Sequence, residues 1–250
     1  MGVLEALAIA ASGVAAGAIN TIVGSGTLIT FPVLIGLGYA PVTANVSNTV
    51  GLVPGSISGA YGYRRELAGQ RPRAIRLGIA SVLGGITGAI LLLELPASAF
   101  KTIVPVFIAI ALVLVVVQPR LAARLAERRA RPPERVGPLG LAGLFLTGVY
   151  GGYFGAAQGI LILSVLGLTL NETLQRINGV KNVLALLTNL VAAIIFIAVA
   201  HIAWDVAGIL AAGAIVGGQI GAHVGRRLSP PWLRAVIVAV GCIAIVKLLA

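Results

Sequence analysis

Apolar and polar positions follow one another in long blocks along this chain. Apolar runs cover roughly 4 to 36, 42 to 63, 75 to 93, 97 to 118, 139 to 168, 177 to 200, 205 to 225 and 231 to 249. Most have about the 20 residues that a membrane-spanning helix needs. The first and fifth are longer, and each is interrupted by a glycine-rich stretch, Gly17-Ala-Ile-Asn-Thr-Ile-Val-Gly-Ser-Gly26 and Gly148-Val-Tyr-Gly-Gly-Tyr-Phe-Gly-Ala-Ala-Gln-Gly159. Glycine frees the backbone from the helix, and the released amides and carbonyls must be met by protein or ligand, since lipid offers them nothing. The halves of such a run, about 10 to 17 residues each, are too short to cross alone. They form either single broken helices or re-entrant hairpins.

Charge separates these two arrangements. If all eight runs span with the N-terminus inside, 12 of the 18 basic residues face the cytoplasm. If the first and fifth return to their own side, the N-terminus is outside. The clusters Arg64 to Arg76, Arg120 to Arg135, Arg176 with Lys181, and Arg226 to Arg234 are then all cytoplasmic. That makes 16 of 18, with only Lys101 and Lys247 outside. Positive charge prefers the cytoplasmic side, which favours the hairpins.

The two halves also match residue by residue. Gly84-Gly-Ile-Thr-Gly88-Ala corresponds to Gly217-Gly-Gln-Ile-Gly221-Ala at an offset of 133, as does Leu95 to Leu228, and Gly24 corresponds to Gly155 at 131. The expected fold is an all-α integral membrane protein of two inverted repeats, each a re-entrant helical hairpin plus three transmembrane helices. The first repeat is 1–118, with a hairpin about 4–38 and helices about 42–63, 75–93 and 97–118. A polar, proline-containing cytoplasmic linker at 119–138 reads as a loop. The second repeat is 139–250, with a hairpin about 139–168 and helices about 173–200, 205–225 and 231–249.

Composition agrees: 58% of the 250 residues are hydrophobic and 10% charged, against about 25% charged in soluble domains. A multi-pass protein of the cell inner (plasma) membrane is expected. The net charge of +11 sits in short loops between apolar runs, which argues against a nucleic-acid partner. The single Cys242 allows no intramolecular disulfide and no cysteine-based metal site. The start, Met1 to Glu5, lacks a basic region and a cleavage signal, so the first segment is expected to be retained.

Paired breaks at matching positions in two halves point to a transporter's binding site. The N-terminal end of a half-helix carries about half a positive charge and can bind an anion without a buried cation. Around the first break lie Asn20, Thr21, Gly24, Ser25, Gly26 and Thr27; around the second lie Tyr150, Tyr153, Gly155, Ala156 and Gln158. The following helices begin with Asn45, Ser47, Asn48 and Thr49 in one half and with Asn178, Lys181 and Asn182 in the other. Amides and hydroxyls inside a membrane helix either pair between helices or face a cavity. Lys181 either snorkels to the interface or supplies positive charge near an anion. The expected substrate-binding set is Asn20, Thr21, Gly24, Ser25, Gly26, Asn48, Thr49, Gly155, Ala156, Gln158, Asn178, Lys181 and Asn182. The glycines at 84, 88, 217 and 221 read as helix-packing positions.

Asn20-Thr-Ile-Val-Gly-Ser-Gly-Thr-Leu-Ile-Thr-Phe-Pro32, Ala44-Asn-Val-Ser-Asn48, Gly155-Ala-Ala-Gln-Gly159, Lys181-Asn182 and Leu228-Ser-Pro230 together resemble the sulfite exporter TauE/SafE family of membrane permeases. The resemblance runs through both repeats. It implies transport of a small sulfur-containing anion such as sulfite or a sulfonate, or of a related carboxylate.

The reading is therefore a secondary transporter, an exporter of a small anion held between the two glycine-rich apices. An anion channel or facilitator, or a non-transport structural membrane protein, is the alternative. No enzyme is expected, because His201 and His223 have no partner at metal-ligand or nucleophile-activating spacing. No cofactor is expected, and no nucleotide-binding motif is present. The partners are a small anionic substrate and the lipid bilayer, and a homodimer is allowed.

Overall fold

The computed structural model describes residues 1–127, 136–170, 172–224, 238–239, 242–243 and 245–246. Among them regular structure is helical throughout: α1 (Val3–Ile22), α2 (Thr27–Gly36), α3 (Pro41–Gly62), α4 (Arg71–Glu94), α5 (Ala97–Glu127), α6 (Pro138–Tyr153), α7 (Gln158–Thr169), α8 (Leu174–Val199) and α9 (Trp204–Val224). Five of these are long and apolar enough to cross a membrane, whereas α2 and α7, at 10 and 12 residues, are not. The protein is an all-α, multi-pass membrane protein. Most of the expected last helix (231–249), and the residues Leu228, Arg226, Arg227, Arg234 and Lys247 used in the repeat and charge arguments, lie outside the described residues.

Local signals account for the helix starts. Proline occupies the first turn of α3, α4 and α6, where its missing N–H is no loss. Thr173 caps α8 by accepting the Arg176 amide.

Two lengths correct the expectation. Helix α1 has 20 residues, where 10 to 17 were expected. The chain stays helical through Gly13 and Gly17 because these are contact points, and it breaks only at 23–26. Helix α5 continues through Pro119 to Glu127, where a loop was expected from 119. Arg120 to Glu127 is built of strong helix formers. Residues 128–135 of the expected linker lie outside the described ones.

Both interrupted helices fold back on themselves. Tyr39, just beyond α2, donates its hydroxyl hydrogen to Glu5 near the start of α1 at 3.2 Å. Gly140 near the start of α6 lies against Thr169 at the end of α7. Helix α1 packs along α9 and α6 along α4; α3 also packs on α9 and α8 on α4, while α3 faces α8.

Glycine seams bring the first two pairs close. A Cβ on Gly88 would strike the Val149 carbonyl, and one on Gly217 the Val14 carbonyl. The four glycines at 84, 88, 217 and 221 all meet backbone of the partner helix in this way, as close helix packing requires.

The loops gather at two ends. At one, Arg73 and Arg176 both bind the Glu172 carboxylate, at 2.8 and 2.7 Å. Arg176 also donates to the Ala68 carbonyl, and Gln70 to the Arg176 carbonyl, each at 3.2 Å. At the other end, beside Glu5 and Tyr39, the Ala203 amide donates to Ser47 Oγ at 2.9 Å.

Candidate functional site

The two breaks are built alike. The amides of Val23 and Gly24 both reach the Ile19 carbonyl (2.7 and 3.0 Å), and those of Phe154 and Gly155 both reach that of Tyr150 (3.0 and 3.1 Å). Gly24 and Gly155 sit at φ of +84° and +79°, a region that costs a residue with a Cβ about 1–2 kcal/mol. Ala157 occupies it too, at +59°. This non-glycine residue is held in a strained conformation where α7 begins. Phe31, Phe100 and Phe154 pack edge to face behind the second break, fixing it against α2 and α5.

The breaks meet. The Gly159 amide donates to the Gly24 carbonyl at 3.1 Å, and a Cβ on either glycine would overlap the other's Cα. Beside this crossing lies a small polar cavity of about 20 Å³, room for one or two waters. Asn20, Thr21 and Gly24 line it from the first break, with Thr27 from α2. Gly155, Gln158 and Gly159 line it from the second. Ser56 of α3 and Asn182, Ala185 and Asn189 of α8 complete the wall. Every polar side chain there is an amide or a hydroxyl. Gln158 is 2% exposed and its Nε2 has no hydrogen-bond partner among the described residues. A buried, unpartnered donor is costly unless something else meets it.

Of the thirteen residues expected from sequence, Asn20, Thr21, Gly24, Gly155, Gln158 and Asn182 come together on the cavity wall. The others stand off it. Asn48 is buried, but its amide is bound by Thr27 and Thr30 of α2, so it fastens α2 to α3. Thr49 bonds the Asn45 carbonyl within its own helix. The Gly26 amide, expected to be free for an anion, is taken by Asn20 Oδ1 at 2.8 Å. Ser25 and Ala156 are fully buried beside the turns, and Ala156 accepts the Tyr150 hydroxyl. Asn178 is buried on α8, away from the wall.

Lys181 is 0% exposed, which removes the snorkelling alternative. Its Nζ donates to the carbonyls of Asn20 (3.2 Å) and Thr21 (3.1 Å), the last turn of α1. Asn182 Nδ2 donates to the same Thr21 carbonyl at 3.3 Å. In the other half, Asn45 Nδ2 donates to the Tyr153 carbonyl at the end of α6 (3.0 Å). Each interrupted helix thus ends on a polar side chain from the helix after the opposite break.

Sequence reasoning missed Ser56, Ala185 and Asn189. A signal was available: Asn189 follows Asn182 by seven residues on one helix face, and Ser56 stands 133 residues before it, the offset of the glycine repeats.

Comparison with known proteins identifies relatives along the whole chain. The family model for the sulfite exporter TauE/SafE matches residues 9–248. The probable membrane transporter protein YfcA of Escherichia coli (strain K12) is 25% identical over 235 residues, which is 94% of this chain and 86% of the relative. A probable membrane transporter protein of Haemophilus influenzae is 25% identical over 226 residues, 90% and 87% of the two chains. The probable membrane transporter protein ORF9 of a Sinorhizobium species is 24% identical over 236 residues, 94% and 88%. No solved structure matches.

Proposed function

The chain belongs to the sulfite exporter TauE/SafE family, and from that premise we propose that this membrane transporter is a secondary carrier that exports a small anion. The substrate is sulfite, a sulfonate or a related organosulfur or carboxylate anion, bound in the cavity where the two breaks cross. The observation that carries this reading is that Gln158, a lining residue of that cavity, is buried with an Nε2 that has no hydrogen-bond partner among the described residues. The polar side chains around it are neutral amides and hydroxyls, and among the described residues no carboxylate lines the wall to repel an anion. Buried hydrogen-bond donors hold an oxyanion well because charge-assisted bonds are about twice as strong as neutral ones. A cavity with room for one or two waters suits a carrier for a compact ion better than a water-filled channel.

The inverted repeat is part of the same proposal. Packing of α1 on α9 answers that of α6 on α4, and α3 on α9 answers α8 on α4. The two turns share one hydrogen-bond pattern at an offset of 131. The contacts of Arg73 and Arg176 with Glu172 support a common side for the loops 63–70 and 170–173, because a hydrocarbon core about 30 Å thick cannot lie between groups in an ion pair. In the eight-span arrangement those loops fall on opposite sides. The hairpin arrangement puts both in the cytoplasm, with Glu5 and Tyr39 outside.

Uptake of radiolabelled sulfite, methanesulfonate and small carboxylates into proteoliposomes, with and without a pH gradient, tests the function. Saturable uptake of at least one anion is expected. Failure of all of them to enter faster than into protein-free vesicles sinks the proposal.

A further inference from the structure

Helix α1 ends at the cavity, and helix C-termini carry about half a negative charge. Asn20 and Thr21, whose carbonyls form that end, both line the wall. Left bare, this end would repel an anion. Lys181 reaches it from α8 and donates to both carbonyls, with its stem passing close to Gly159 at the crossing. It is fully buried, and neither Arg–Glu172 ion pair involves it; the partners of its Nζ are these two backbone carbonyls. The end of α6 receives only the neutral amide of Asn45. An amine therefore stands at one of the two apices and a neutral amide at the other, and holding a buried cation without a counter-ion costs several kcal/mol. An amide in its place would satisfy the same carbonyls at less expense, as Asn45 does. What an ammonium adds is net positive potential.

Resting on the anion-carrier reading above, we propose that Lys181 is the positioning residue that sets the charge preference of the cavity. Its ammonium covers the C-terminal carbonyls of α1, reversing the sign of the potential that this helix end presents to a substrate. It does so from behind the wall, so the preference is for negative charge in general, and the amides of Gln158 and Asn182 read the shape of the oxyanion.

The test compares methanesulfonate with methanesulfonamide, its neutral counterpart of similar shape. Binding of each to the purified full-length protein in nanodiscs is measured by ligand-induced thermal stabilisation. Wild type should prefer the sulfonate. Lys181→Gln, which keeps a donor for the carbonyls, should lower sulfonate affinity by about tenfold or more and leave the sulfonamide within about threefold of wild type. A purely structural lysine would weaken both ligands together, which overturns the proposal, as does an unchanged preference in Lys181→Gln. If Lys181→Gln does not accumulate, Lys181→Arg decides. A folded arginine variant should keep the preference, and its loss there would show that charge is not the determinant. Wild type that binds neither ligand overturns this inference, whereas the anion-carrier reading stands or falls separately on the uptake of sulfite, methanesulfonate and small carboxylates described above.

Discussion

The amide of Gly159 donates to the carbonyl of Gly24 at 3.1 Å, joining residues 135 positions apart where the two interrupted helices cross. Neither position has room for a side chain. Gly24 further needs its positive φ, so two separate constraints fall on it, steric and conformational.

These constraints separate experimentally. Gly38 has a positive φ of +92°, but a methyl group added there would meet nothing within 4 Å, so Gly38→Ala should cost only backbone strain, about 1–2 kcal/mol. Gly24→Ala should cost that plus overpacking of about 1–3 kcal/mol. Gly159→Ala should cost the overpacking alone. Thermal unfolding of the three variants side by side checks the order. If Gly24→Ala is no worse than Gly38→Ala, the close crossing is wrong.

Much of this arrangement was legible in the residues, and what was not has physical causes. An all-helical membrane protein with breaks near Gly24 and Gly155 follows from run lengths and glycine placement, since backbone freed inside a membrane must be satisfied by protein. The length of α1 was not legible, because a glycine at a helix–helix contact and a glycine at a break look the same in one dimension. Asn48 and Lys181 show the matching difficulty for polar groups. Composition identifies a buried amide or ammonium as expensive but does not say which group meets it. Asn48 is met by the threonines of α2 and Lys181 by the end of α1. Ser56 and Asn189 lie two helical turns beyond the polar starts of their helices, where attention to the glycine stretches does not lead.

Acid should loosen the loop contact at Glu172. Burial pushes its carboxyl up, but hydrogen bonds from Arg73 and Arg176, with their charges, outweigh this and hold it below the usual carboxylate range. A depressed folded-state pKa means stability that is present above the unfolded value and lost as pH falls through the folded one. Wild type should therefore lose stability below about pH 4.5, by about 1 kcal/mol because the three side chains are partly solvated. Glu172→Gln should flatten this part of the profile. Melting curves of both proteins between pH 6 and pH 3.5 measure it, and an identical acid slope would remove Glu172 as the cause.

Membrane sidedness gives the proposed topology a direct check. In a background with Cys242 replaced, single cysteines at Arg71 and Glu172 should both be shielded from an impermeant thiol reagent in intact cells and react after permeabilisation. A cysteine at His201, which is exposed at the opposite end, should react from outside. Opposite accessibility of Arg71 and Glu172 would restore the eight-span arrangement.

The cavity predicts its own mutational pattern. Gln158 Nε2 makes no hydrogen bond among the described residues, so Gln158→Ala should leave the ligand-free melting point within a few degrees. Losing one donor to an anion costs about 1–3 kcal/mol, which is ten- to hundredfold in affinity for sulfite or methanesulfonate. Asn48→Ala should behave in the opposite way. Its amide joins α3 to α2 through Thr27 and Thr30, so the protein should melt earlier while the surviving fraction binds with near-normal affinity. Asn189 lines the wall and is only half-buried, so Asn189→Asp can place a carboxylate in the cavity with almost no change of shape. Like-charge repulsion should then abolish anion-dependent stabilisation. Anion affinity that survives both Gln158→Ala and Asn189→Asp unchanged would move the binding site away from the crossing of the two breaks.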